Sequence, residues 1–137
     1  MVWNSDKAPM SAQKNQRIIK DYIKTLFDIS CNVYNINKAY VGLRIIFSDT
    51  IGKNGRTAGI CSKTKYGNTF TITLNSTILD MVGIERFKNT GSHELAHVIT
   101  CLLYPTVVDD HGKEFIKIHT ELGGDGKQKH NYFKVGI

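Results

Sequence analysis

Cysteine, proline and acidic side chains are scarce in this chain of 137 residues: three, two and twelve respectively, against eighteen Lys/Arg. The cysteines Cys31, Cys61 and Cys101 are odd in number, far apart and free of any Cys-x-x-Cys pair. That pattern excludes a disulfide framework and a thiolate-gripped zinc, and it implies a reducing compartment. No apolar run approaches the roughly 18 residues of a membrane span, and MVWNSDKAPM at the start lacks the basic and apolar regions of a signal peptide. The expectation is a soluble, cytoplasmic protein with no membrane partner.

The length is that of one domain able to bury its own core, so residues 1–137 are read as a single domain with a core of about 11–133. The composition, 41% hydrophobic and 22% charged, is that of a globular chain rather than a disordered one. The net charge of +6 is unevenly spread, with eleven Lys/Arg against four Asp/Glu in residues 1–67 and seven against eight in residues 68–137. A basic first half is suited either to contacting phosphates or simply to solvation.

From about Ser11, Ile18, Ile19, Tyr22, Ile23, Leu26 and Phe27 recur at helical spacing, with Lys14, Arg17, Lys20 and Lys24 between them. This predicts an amphipathic N-terminal helix. Val41, Leu43, Ile45 and Phe47 then alternate as in a half-buried strand. The glycine-bearing stretches GKNG (52–55) and KYGN (65–68) read as turns, with TAGICS (57–62) and TFTITLN (69–75) as further strands. Together these predict a three-stranded antiparallel meander. A nearly all-apolar helix follows from about Ile84 to Leu103 and ends before Pro105, since proline cannot continue it. Phe115, Ile118, His119 and Leu122 mark a short C-terminal helix closed by Gly123-Gly124, and KQKHNYFKVGI reads as an extended tail. The fold class is therefore α+β.

The long buried helix carries HELAH at 93–97. Residues four apart on a helix face the same side, with Cβ atoms roughly 5–6 Å apart, so His93 and His97 can share one zinc ion. Glu94 is rotated about 100° from His93, which suits it to work on a water that the metal acidifies rather than to ligate. A catalytic zinc requires a third protein ligand and an open position. The candidates are His111, Asp109, Asp110, Glu114, His119 and His130. His111 is favoured because it follows a loop long enough to turn the chain back and Gly112 beside it permits close approach. Glu114 is its rival, although a first-turn glutamate also suits the helix dipole. His119 at helical spacing reads as packing, and Asp109 or Asp110 as an acceptor that orients an imidazole.

HELAH, a variable loop, and HGKEF at 111–115 resemble the SprT-like metallopeptidases. The resemblance covers residues 15–133: RTAGICS (56–62) and ITLN (72–75) are similar to that family's strand pair, and KHNYF (129–133) to a His-aromatic segment near its end. It implies a compact zincin-like fold, one catalytic zinc on His93, His97 and His111, and Glu94 as the general base. Spartan-type members cleave proteins, including those crosslinked to DNA, and are stimulated by DNA. Many members continue into a cysteine-rich zinc ribbon, whereas here no cysteine follows Cys101.

The leading expectation is a zinc metallopeptidase acting on protein or peptide substrates, with an edge strand such as residues 69–75 aligning an extended substrate. His130, Tyr132 and Tyr104 are candidate oxyanion donors, with Asp110 as a further supporting residue. Lys53, Arg56, Lys63 and Lys65, with Tyr66 and Phe70 nearby, are candidate contacts for single-stranded nucleic acid. Two alternatives stand beside this reading: a nucleic-acid-associated binding module whose zinc is structural, and a zinc hydrolase acting on a non-peptide bond.

Overall fold

A computed structural model describes residues 10–52, 55–105 and 111–125. The first helix, α1 (Met10–Val33), buries Ala12, Gln16, Ile19, Ile23, Phe27, Ser30 and Cys31 along one stripe and leaves its charged residues outside. A 3-10 turn (Lys38–Tyr40), capped by the Asn37 side chain, leads into β1 (Gly42–Ser48). Strands β2 (Gly59–Lys63) and β3 (Thr69–Asn75) precede helices α2 (Ser76–Val82), α3 (Ile84–Leu103) and α4 (Lys113–Glu121).

The class is α+β, but the sheet is mixed rather than an antiparallel meander. Its order is β1-β3-β2, with β1 parallel to β3 and β2 antiparallel to it. Only KYGN makes a hairpin turn. The GKNG stretch belongs to a longer link that carries the chain from one edge of the sheet to the other. Asn75 anchors this link: its Nδ2 donates to the carbonyls of Gly55 (2.7 Å) and Thr57 (3.0 Å), and its backbone N–H donates to Ala58 at 2.9 Å. Burial follows the same order, because central β3 contributes Phe70, Ile72 and Leu74 to the core while β2 leaves Ile60 exposed. β3 thus has no open edge, which removes it as the strand to align a substrate. Among the described residues the edge strands are β1 and β2.

Helix α2 adds to the expected elements. The Asn75 side chain accepts from the Ile78 N–H at 3.0 Å, satisfying one of the donors that a helix start leaves open. Gly83 separates α2 from α3, in a left-handed conformation (φ 86°) that suits glycine.

Helix α3 lies at the centre and is buried nearly all round, with Phe87, Leu95, Ala96, Val98 and Ile99 at 0% exposure. Two glycines let its neighbours come close. A Cβ on Gly91 would stand 3.0 Å from Ile23 Cγ1 of α1, and one on Gly59 of β2 would stand 3.0 Å from Glu94 Cγ. α3 is therefore clamped between α1 and β2 at the turn that carries the motif. No helix among the described residues is long and apolar enough to cross a membrane.

Candidate metal centre

The motif lies where α3 meets α4 and β2. His93 is 4% exposed and Glu94 2%, while His97 and His111 are partly exposed, so the group opens on the side of the latter two. The rings of His93 and His97 are 5.0 Å apart between centroids, as one helical turn dictates. His111, just ahead of α4, brings its ring to 5.3 Å from His93 and 4.7 Å from His97. One ligand atom from each of the three histidines lies within 4.8 Å of the others, and among the described residues no other group of this kind forms.

The spacing fits a small tetrahedral ion. Ligands held about 2.0–2.1 Å from zinc stand about 3.3 Å apart. His97 Nε2 and His111 Nε2 are 3.1 Å apart. Three imidazoles are also a donor set suited to a first-row transition metal. These residues could therefore hold a metal ion.

Glu94 points toward the same space: its Oε2 is 3.9 Å from His93 Nε2. Burial pushes its carboxyl up from 4.5 to about 8, because the charged form has lost its water. Gly59 makes room for this carboxylate, since a Cβ there would lie 3.2 Å from Oε2. Cys61, two residues on, has its thiol pushed up to about 12 by burial, with Glu94 and then Cys101 adding to the shift.

His119 is fully buried but outside the cluster; its Nε2 lies 3.1 Å from Ser92 Oγ of α3. Burial lowers its pKa, with Asp125 opposing the shift. Asn89 and Asp125 tie the same two segments together: Asn89 Nδ2 donates to Asp125 Oδ2 (3.2 Å) and Asp125 N–H to Asn89 Oδ1 (3.0 Å). The structure thus uses His119 to dock α4 on α3. Glu114, the rival third ligand, does not join the three-histidine group.

The remaining candidates divide. Asp109, Asp110, His130, Tyr132 and Lys53 lie outside the described residues. Tyr104 caps the C-terminus of α3, its backbone N–H donating to the Thr100 carbonyl. Lys63 and Lys65 are exposed around the β2–β3 turn, with the Lys65 ammonium 5.5 Å from the centre of the Tyr66 ring, whereas Arg56 precedes the other end of β2. Phe70 is 2% exposed and belongs to the core, so it offers no surface for base stacking. Its inward position follows from the same alternation that buries Ile72 and Leu74.

Sequence reasoning singled out neither Gly59 nor the aromatic contacts of Phe115. Phe115 was legible only as a core-facing residue, yet its ring packs against those of His93, His97 and His111.

Searches of curated proteins and of solved structures found no match. A family model, the SprT-like family, matches residues 23–133 and so spans the sheet, the HELAH helix and His111. The chain belongs to the SprT-like family.

Proposed function

We propose that this chain is a zinc metallopeptidase in which His93, His97 and His111 hold one zinc ion and Glu94 is the general base. The observation that carries the reading is the convergence of three histidines beside the buried carboxylate of Glu94. A structural zinc calls for four protein ligands, whereas a catalytic one uses three and keeps a position open. The enzyme reading takes His93, His97 and His111 as those three, and a fourth protein ligand would favour the binding module instead.

When bound, zinc polarises the scissile carbonyl and acidifies water. Glu94 takes the proton of the attacking water on its carboxylate as the new C–O bond forms, then returns it to the departing amine nitrogen as the C–N bond breaks. Gly59 sits against Glu94, so an extended peptide laid along the outer edge of β2 would pass the base. The free cysteines suit a cytoplasmic setting.

Lys63, Lys65 and exposed Tyr66 at the β2–β3 turn give the proposal a second element, a nucleic-acid contact that would bring DNA-associated proteins to the site. Loss of affinity for a single-stranded oligonucleotide on replacing both lysines would support it, and unchanged affinity would remove it.

The central test is Glu94→Gln. That variant should bind zinc as the wild type does and lose about 10²–10⁴-fold in hydrolysis of an unfolded protein substrate. Undiminished cleavage would overturn the role assigned to Glu94.

A further inference from the structure

Imidazoles that share a metal must be aimed as well as placed, because each ring turns about two side-chain bonds. Here two of them rise from α3 and the third comes from the segment before α4. In the metal-free chain a hydrogen bond joins His97 Nε2 and His111 Nε2, the two atoms that would face the ion instead. That bond cannot hold the rings once an ion lies between them.

Phe115 can. It sits on the first turn of α4, four residues after His111, and is fully buried. Its ring centroid is 4.9 Å from that of His93, 4.6 Å from His97 and 5.0 Å from His111, at interplanar angles of 67°, 30° and 82°. All three distances lie in the range of favourable ring pairs, with edge-on contacts to His93 and His111 and a tilted one to His97. His119 lies 5.6 Å from the same ring and 5.4 Å from that of His93, so it packs beside both, and its Nε2 is within hydrogen-bond distance of Ser92 Oγ. One flat ring thus touches every imidazole of the cluster.

We propose that Phe115 is a positioning residue of the metal centre: its ring, wedged among the three imidazoles, fixes their planes so that the ligand nitrogens converge. This rests on the reading of His93, His97 and His111 as metal ligands. Contacts that orient metal-bound histidines typically alter metal affinity about 10–100-fold when removed. Leucine fills much of the space of phenylalanine but has no flat face, so Phe115→Leu should loosen the aim of the rings while leaving the chain folded.

The experiment uses Co²⁺ as probe, titrated into the metal-free chain and followed by its visible d–d absorption. Folding is checked by circular dichroism and stability by urea unfolding. Phe115→Leu should weaken Co²⁺ binding about 10–100-fold and change the shape of the absorption band. Phe115→Met, an unbranched replacement without a plane, should show the same loss and serves as the reading if the leucine variant does not fold. Ile118→Val, one turn further along α4 and also buried, perturbs core packing while keeping the Phe115 ring and should leave affinity and band unchanged. Wild-type affinity and spectrum in the folded Phe115 variants, or an equal change in Ile118→Val, would overturn the proposal. Failure of the wild-type chain to bind Co²⁺ would instead sink the metal-ligand reading on which it rests.

Discussion

Replacing Gly59 by alanine sets two effects of opposite sign against each other. Gly59 is not in the left-handed region, so its backbone accepts alanine, and the stiffer unfolded chain by itself would stabilise the fold by about 0.4–1 kcal/mol. The added Cβ, however, would stand 3.0 Å from Glu94 Cγ, 3.1 Å from Thr90 Cγ2 and 3.2 Å from Glu94 Oε2. Glu94 is 2% exposed and Thr90 0%, so neither can swing out into water. Overpacking of this kind costs about 1–3 kcal/mol, which leaves a net loss of about 0.5–2 kcal/mol. With a urea dependence of about 2 kcal/mol per molar, the unfolding midpoint should fall by about 0.3–1 M with the slope unchanged. Turnover should fall further, by tenfold or more, because the carboxylate displaced is the proposed base, while zinc content stays at the wild-type level. An unfolding midpoint equal to or above that of the wild type, together with full turnover, would refute the argument that β2 presses on the base through a glycine.

In the metal-free chain, the Glu94 carboxyl sits at about 8 when folded against 4.5 as its ordinary value. Its contribution is therefore fully present below pH 4.5 and is lost as pH rises from there through about 8. Glu94→Gln has no proton to lose, so urea unfolding in chelator at pH 5 and pH 8 should show a gain for the variant of about 4 kcal/mol at the higher pH and about 1 kcal/mol at the lower. Equal pH slopes for the two chains would contradict burial as the cause. Cys61, with its thiol pushed up to about 12, should resist alkylation at pH 8 until urea unfolds the chain, and rapid labelling in the native state would show that the β2–α3 seam is open.

Most helices were readable because their signals are local. The apolar run of α3 has a proline one residue past its C-cap, and α1 keeps its buried stripe over many turns. Strand order was not, since nothing within a strand says which neighbour it takes. Both glycine-bearing stretches look like hairpin turns, and the parallel pairing of β1 with β3, with the Asn75 contacts to Gly55, Thr57 and Ala58, shows that the first belongs to a crossing. The same Asn75 is the cap that marks α2, a helix short enough for its Ile78 and Leu79 to read as mere continuation between a strand and a long helix.

The histidine pair was legible because four residues is a helical turn. The approach of His111 to within 4.7 Å of His97 between ring centroids depends on how α4 docks, through Ser92–His119 and Asn89–Asp125, and on no spacing in the chain. Phe115 illustrates the same limit, for its spacing marks it as buried without naming the rings it is buried among.

Metal content and metal geometry measured on one sample test the central claim most directly. Purified chain should carry one zinc per molecule, and X-ray absorption should show three nitrogen ligands at about 2.0–2.1 Å with a fourth, non-protein oxygen ligand. His111→Ala should lose both the third nitrogen and most of the metal. A chain that binds no zinc, or one whose zinc keeps four protein ligands, would contradict the account.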